Sequence, residues 1–109
     1  MPYNISRVFI ETSAFTKLIV SYLTNDEYLG LQRFLLEHPD AGRIIRGSGG
    51  VRKLRWALPG KGKSGGIRVI YYWKRQADEI WMLTVYSKSE RESIPSHILR
   101  KIAEEIKDV

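Results

Sequence analysis

The sequence predicts one α+β domain over residues 1–109, built from an N-terminal strand, a helical hairpin, a three-stranded antiparallel meander and a C-terminal helix. Three observations carry this. Apolar residues recur at helical spacing between Thr12 and His38 and again from Ile94 to Ile106. Between Val51 and Lys88 the period changes, and three runs rich in Val, Ile, Tyr and Trp are separated by turn residues. No repeat, low-complexity tract or linker interrupts the chain.

Ser6–Glu11 is short and β-branched, which suits a first strand. Phe15, Leu18, Ile19 and Tyr22 mark one face of a helix from about Thr12 to Leu23. Thr24-Asn25-Asp26-Glu27 has the capping-box pattern and opens a second helix, with Tyr28, Leu31, Phe34 and Leu35 facing inward. That helix stops at His38, because Pro39 restricts the residue before it. The turn between the two helices is very short, so they form an antiparallel hairpin. Val51–Leu58, Ile67–Arg75 and Glu79–Lys88 are the strands of the meander, the last two joined by a turn at Gln76-Ala77-Asp78. Ile94, Ile98, Leu99, Ile102 and Ile106 stripe the last helix, and Pro95 is tolerated in its first turn. The helices are expected on one face of the sheet.

Composition bounds the function. At 43% hydrophobic residues the chain is globular, and with no cysteine it has neither disulfides nor thiolate metal sites. The first residues lack the pattern of a signal peptide, and no apolar run reaches the ~20 residues of a membrane span, so a cytoplasmic protein with no membrane partner is expected. The net charge of +6 is segregated: Ala41 to Ala77 holds ten Lys or Arg and no Asp or Glu, whereas the rest of the chain is net acidic. A block of one sign aims its field at an anionic partner, and polyanion binding is the first inference.

The strands place some of these charges. Lys53 and Arg55 share a face opposite Leu54 and Trp56. In the last strand Tyr86 and Lys88 share a face, with Trp81, Leu83 and Val85 on the other. If the strands are adjacent and antiparallel, Arg55, Arg68 and Lys88 converge near one end of the sheet. Lys61 and Lys63 stand above them on the glycine-rich stretch "PGKGKSGG", a phosphate clamp lacking the spacing of a nucleotide P-loop. Arg52 and Lys74 extend the basic surface available to a nucleic acid. His38 and His97 show no metal-ligand spacing, and the basic block holds no carboxylate for Mg²⁺, so neither metal nor cofactor is expected. Tyr71, Tyr72, Trp73, Trp81 and Trp56 read mainly as core; Tyr86 is set apart because Lys88 shares its face.

"GGVRKLRWALPGKGKSGGIRVIYYW" followed by "LTVYSKSE" resembles the RelE/ParE superfamily of toxins, most closely its HigB-type members. The resemblance spans nearly the whole chain and is most specific in Gly50–Tyr72 and Leu83–Glu90. It implies a RelE-like fold and a toxin of a type II toxin–antitoxin system that enters the ribosomal A site and cuts mRNA, its partners being the ribosome, mRNA and a cognate antitoxin. By position, Lys53 and Arg55 match the family's basic pair, Arg68 the arginine before the "VIYY" run, and Lys88 the basic residue ending the last strand. The RelE branch carries an arginine after that lysine and a tyrosine in its C-terminal segment; here Ser89 follows, and no tyrosine occurs after Tyr86. HigB-type relatives share the arrangement of Tyr86-Ser87-Lys88. The gyrase-directed ParE branch has the same scaffold, and a non-catalytic nucleic-acid-binding module is the third reading.

The chemistry these residues permit is metal-independent attack by the RNA 2′-OH. Arg55 and Arg68 suit the phosphate, Lys61, Lys63 or Lys88 a proton transfer, and Tyr86 base stacking or assistance to that transfer. Arg52, Lys53, Lys61, Lys63 and Lys74 are the expected RNA-binding set. The antitoxin is expected either over the basic face or on the outer helices, where Ile98 and Ile102 exceed what so small a core covers.

Overall fold

The computed structural model describes residues 7–58, 66–88 and 94–109. Its elements are β1 (Val8–Glu11), α1 (Ser13–Ile19), α2 (Asn25–Glu37), β2 (Arg43–Ile44), β3 (Arg52–Trp56), β4 (Ile67–Lys74), β5 (Glu79–Ser87) and α3 (Ser96–Lys107). They form a five-stranded sheet in the order β1-β5-β4-β3-β2, with β1 parallel to β5 and the remaining pairs antiparallel. The meander is therefore extended at both edges, by β1 and by the two-residue β2, which the sequence pattern does not single out.

β4 is the central strand, and Ile67 to Tyr72 are all buried. Its alternate residues feed two separate cores. Ile67, Val69 and Tyr71 pack with Leu54, Met82 and Val85 under Phe15 and Ile19 of α1 and Leu31 and Leu35 of α2. Ile70 and Tyr72 pack with Val51 and Leu83 under Leu99, Ala103 and Ile106 of α3. The helices thus lie on both faces of the sheet, not on one. A strand apolar on both faces leaves two surfaces to be taken out of water, and a single helical layer covers only one.

Helix α1 ends at Ile19, earlier than its apolar spacing suggests, and Leu18 is exposed. Helix α2 carries the full capping box: the Thr24 hydroxyl accepts from the Glu27 N–H, and Glu27 accepts from the Thr24 N–H. Its C-cap is His38. The Tyr71 hydroxyl ties the following segment to the sheet, donating to the Pro39 carbonyl (2.8 Å) and accepting from the Gly42 N–H (2.9 Å). Burial pushes this phenol's pKa up, so it remains a neutral donor. Between β2 and β3, the Gly47, Gly49 and Gly50 backbones have φ of +78°, +77° and +108°, conformations that side-chain-bearing residues rarely adopt.

The pairing of β4 with β5 contains a bulge. Tyr71 stands opposite Met82 and Ile70 opposite Thr84, leaving Leu83 as the extra residue. The alternation slips there, so Leu83 and Tyr86 join the same core on the α3 face while Val85 joins the other. Strict alternation had put Trp81 and Leu83 on the face opposite Tyr86; the extra residue reverses that, and Trp81 also packs on the α3 side. Thr12 secures the bulge. Its hydroxyl donates to the Leu83 carbonyl (2.7 Å) and accepts from the Phe15 N–H (3.1 Å), so one side chain caps α1 and satisfies the irregular strand.

Thr12→Val keeps the shape and removes both bonds. A lost cap costs about 1 kcal/mol, and an unsatisfied, partly buried carbonyl costs about as much again. A destabilisation near 2 kcal/mol in urea unfolding is expected. A loss below about 0.5 kcal/mol would show that the hydroxyl secures neither element.

Candidate anion-binding site

The register brings three polar side chains into one cross-strand row. Arg55 on β3 stands directly opposite Arg68 on β4, and Arg68 stands opposite Tyr86 on β5. Cross-strand partners share a face, so all three project toward the side that carries α3. The bulge lies between Tyr86 and the part of β5 that packs against Tyr71 and Tyr72. Without it, Tyr86 would fall on the other face.

Arg68 is the anomaly. It is only 8% exposed, and its side chain makes no hydrogen bond or ion pair with any described residue. Its cross-strand neighbour is another arginine, with Cβ atoms that this geometry places about 5 Å apart, and like charges directly opposite are unfavourable. The ion pairs among the described residues, Arg7–Asp78 and His38–Glu37, involve neither arginine. A cavity of about 270 Å³ opens beside them, lined by Arg55, Trp56, Ala57, Gly66 and Arg68. Gly66 shapes its wall, because a Cβ there would come within 2.6 Å of the Trp56 carbonyl oxygen. The absence of that carbon lets the chain enter β4 hard against the end of β3, with Arg68 two residues further on.

The other anticipated residues divide. Lys53 shares the Arg55 face, and Lys88 follows β5 at the same end of the sheet, exposed. Lys61 and Lys63 lie outside the described residues. Arg52 is on the opposite face, where its guanidinium donates to the Asp40 and Gly42 carbonyls at 3.0 and 2.8 Å. Lys74 sits at the far end of β4, six residues or ~20 Å from Arg68. There its ammonium donates to the Ile106 and Val109 main-chain oxygens, holding the end of α3 to the sheet. Both side chains are engaged in fastening the fold. Arg43, opposite Lys53 on β2, counts among the ten cations of the basic block but was assigned to no site, because a two-residue edge strand leaves no periodic signal.

What the row can do chemically follows from its composition. A planar guanidinium donates two parallel hydrogen bonds and keeps its charge, so two facing arginines form a receptor for a tetrahedral anion such as a phosphodiester. Arg68 is held on a core strand, while Arg55 opposite it is exposed.

No family model matches the chain. Its fold is that of RelE. The chain is similar to E. coli toxin RelE, solved as a double mutant in the free state, with a TM-score of 0.59 at 16% identity, covering 89% of this chain and 96% of that one. It is also similar to a chain of the intact E. coli RelBE toxin–antitoxin complex, with a TM-score of 0.54 at 17% identity, covering 75% of this chain and 96% of that one.

Two like charges opposite each other on β3 and β4 burden the free protein. Arg68→Met removes the like-charge opposition and leaves an apolar chain of similar length over the sheet. The variant is expected to be more stable by about 0.5–1 kcal/mol, read as a higher urea midpoint at unchanged slope. A less stable variant would mean that Arg68 has a structural role in the fold.

Proposed function

We propose that the chain is the toxin of a type II toxin–antitoxin pair, of the HigB type within the RelE/ParE superfamily, and that it cuts mRNA in the ribosomal A site. The observation carrying this reading is Arg68, largely buried and without an ion pair among the described residues, facing Arg55 beside Tyr86 on a fold shared with RelE. A toxin acting only by binding gyrase has no need of two arginines facing each other in a cavity.

The reaction uses the nucleophile that RNA itself supplies. The 2′-oxygen attacks the adjacent phosphorus as the P–O5′ bond breaks, giving a 2′,3′-cyclic phosphate and a 5′-hydroxyl end. The 2′-OH proton passes to a base, and the departing O5′ receives one from an acid. Arg55 and Arg68 orient the phosphodiester and stabilise the charge that grows on its non-bridging oxygens, where losing one such donor costs ~10²–10³ in rate. Tyr86, next to Arg68 in the row, stacks on a base or assists the proton transfer, with Lys88, Lys61 and Lys63 as the flanking basic groups. Lys53 binds the strand, and the ribosome supplies the remaining alignment.

No helix among the described residues is long and apolar enough to cross a membrane, and we place the protein in the cytoplasm, where ribosomes and mRNA are. Its second partner is a cognate antitoxin protein. The solved RelBE complex is a toxin bound to its antitoxin, and an active nuclease of this kind requires such restraint in its host.

The test changes the substrate. In a reconstituted translation reaction, primer extension is expected to show cuts within codons. An mRNA with a single 2′-deoxy or 2′-O-methyl sugar at the cut position should remain whole there while other sites are cut. Normal cutting at the modified position would exclude 2′-OH attack. Intact mRNA together with inhibited DNA supercoiling would move the protein to the gyrase-directed branch.

A further inference from the structure

A second like-charge pair lies beside the first. Arg43 on β2 stands opposite Lys53 on β3, and Lys53 is two residues from Arg55 along the same strand and on the same face. The neighbouring residues Ile45 and Val51 pack under α3, which fixes this face as the one that carries Arg55, Arg68 and Tyr86. The pair lines a cavity of about 470 Å³, together with Ala41, Leu54 and Arg55. Arg55 therefore borders both cavities. No described acidic residue forms an ion pair with Arg43, Lys53, Arg55 or Arg68.

We propose that Arg43 and Lys53 form a second phosphate subsite, holding the RNA backbone one nucleotide away from the phosphate bound by Arg55 and Arg68. This deepens the reading of the chain as an RNA-cutting toxin and rests on it. Lys53 and Arg55 stand ~7 Å apart along the strand, a spacing comparable to that of successive phosphates in an extended single strand. Among the described strands the row runs from Tyr86 on β5 across Arg68 and Arg55 to Lys53 and Arg43 at the β2 edge. Two opposed like-charge pairs on neighbouring strands are unfavourable in the free protein, and both are relieved by a partner carrying regularly spaced negative charges. A polynucleotide backbone has that regularity. An acidic peptide, whose carboxylates sit on mobile side chains, does not. The small side chain at Ala41 leaves the cavity open at the sheet edge, where the strand enters or leaves.

The test measures binding of a fluorescein-labelled, eight-nucleotide 2′-O-methyl RNA to the full chain over a range of salt concentrations. Each phosphate contact contributes about 0.7 to the slope of log K against log salt for a single strand. Arg43→Gln is expected to lower the slope by about 0.7 and to weaken binding about fivefold at 0.1 M salt; adding Lys53→Gln should double the change in slope. Arg33→Gln, an exposed cation on α2 across the sheet, is the control and should leave the slope unaltered. Arg43 is exposed on an edge strand, so the variant is expected to fold, and its circular dichroism melt checks this. An unaltered slope in a folded Arg43→Gln protein overturns the subsite while leaving the Arg55–Arg68 site standing. Loss of affinity for poly-glutamate with an unaltered RNA slope also overturns it, in favour of an acidic peptide. If the wild-type protein binds none of the RNA at low salt, the nucleic-acid reading beneath the subsite fails as well.

Discussion

The structure depends on one strand being buried on both sides. β4 contributes alternate side chains to two cores, so layers must form above and below it, and all other elements are placed by that requirement. The hydrogen-bond register then follows outward from β4, to β3 and β2 on one side and to β5 and β1 on the other. A residue near the start of this strand inherits its rigidity and its burial whether or not it is apolar. Arg68 is that residue. Its position is set by the packing of Ile67, Val69 and Ile70 around it, which gives a charged group the placement of a core side chain.

Much of this was legible in the sequence, and the exceptions have physical causes. Chain order and the three central strands follow from the change of hydrophobic period near Val51, and the start of α2 from its capping box. The run "IRVIYYW" also held the evidence against a one-sided helical layer. Apolar residues at both odd and even positions mark a strand covered on both faces, and that signal outweighed the expectation of a single layer. The bulge at Leu83 had no comparable signal. No glycine marks it, and it exists because the distant Thr12 hydroxyl satisfies its carbonyl. β2 was invisible because two residues define no period, and it is held by pairing with β3.

The site was partly legible for the same reasons. Arg55 and Arg68 were readable because each lies in a strand whose alternation is unbroken, so the register alone brings them together. Tyr86 was singled out on the company of Lys88, but the bulge determines which side of the sheet it faces. Arg52 and Lys74 show the limit of counting charges. Both belong to the basic block, yet each donates to main-chain carbonyls and holds a chain segment in place. Each is held by main-chain oxygens away from the row of Arg55 and Arg68, even though some of its donors remain unused. What separates the two groups is the arrangement of acceptors around them, and that is a property of the folded chain.

The distribution of these acceptors divides the molecule into a closed end and an open end. Near Lys74 the sheet is tied down: α3 terminates on the lysine, Lys107 lies over the Tyr72 ring, and Arg7 and Arg75 both stack on Trp73. The cations there meet carbonyls, a carboxylate or aromatic faces, so they stabilise the fold. At the other end, Arg68 stands opposite Arg55 and Lys53 opposite Arg43, and none of the four forms an ion pair with a described acidic residue. Concentrating like charges at one end of the sheet confines the cost of their opposition to that surface, while the two cores remain intact. The same separation lets this cluster change without loss of the fold, because the residues that fasten the structure and those that line the cavities are different cations on the same strands.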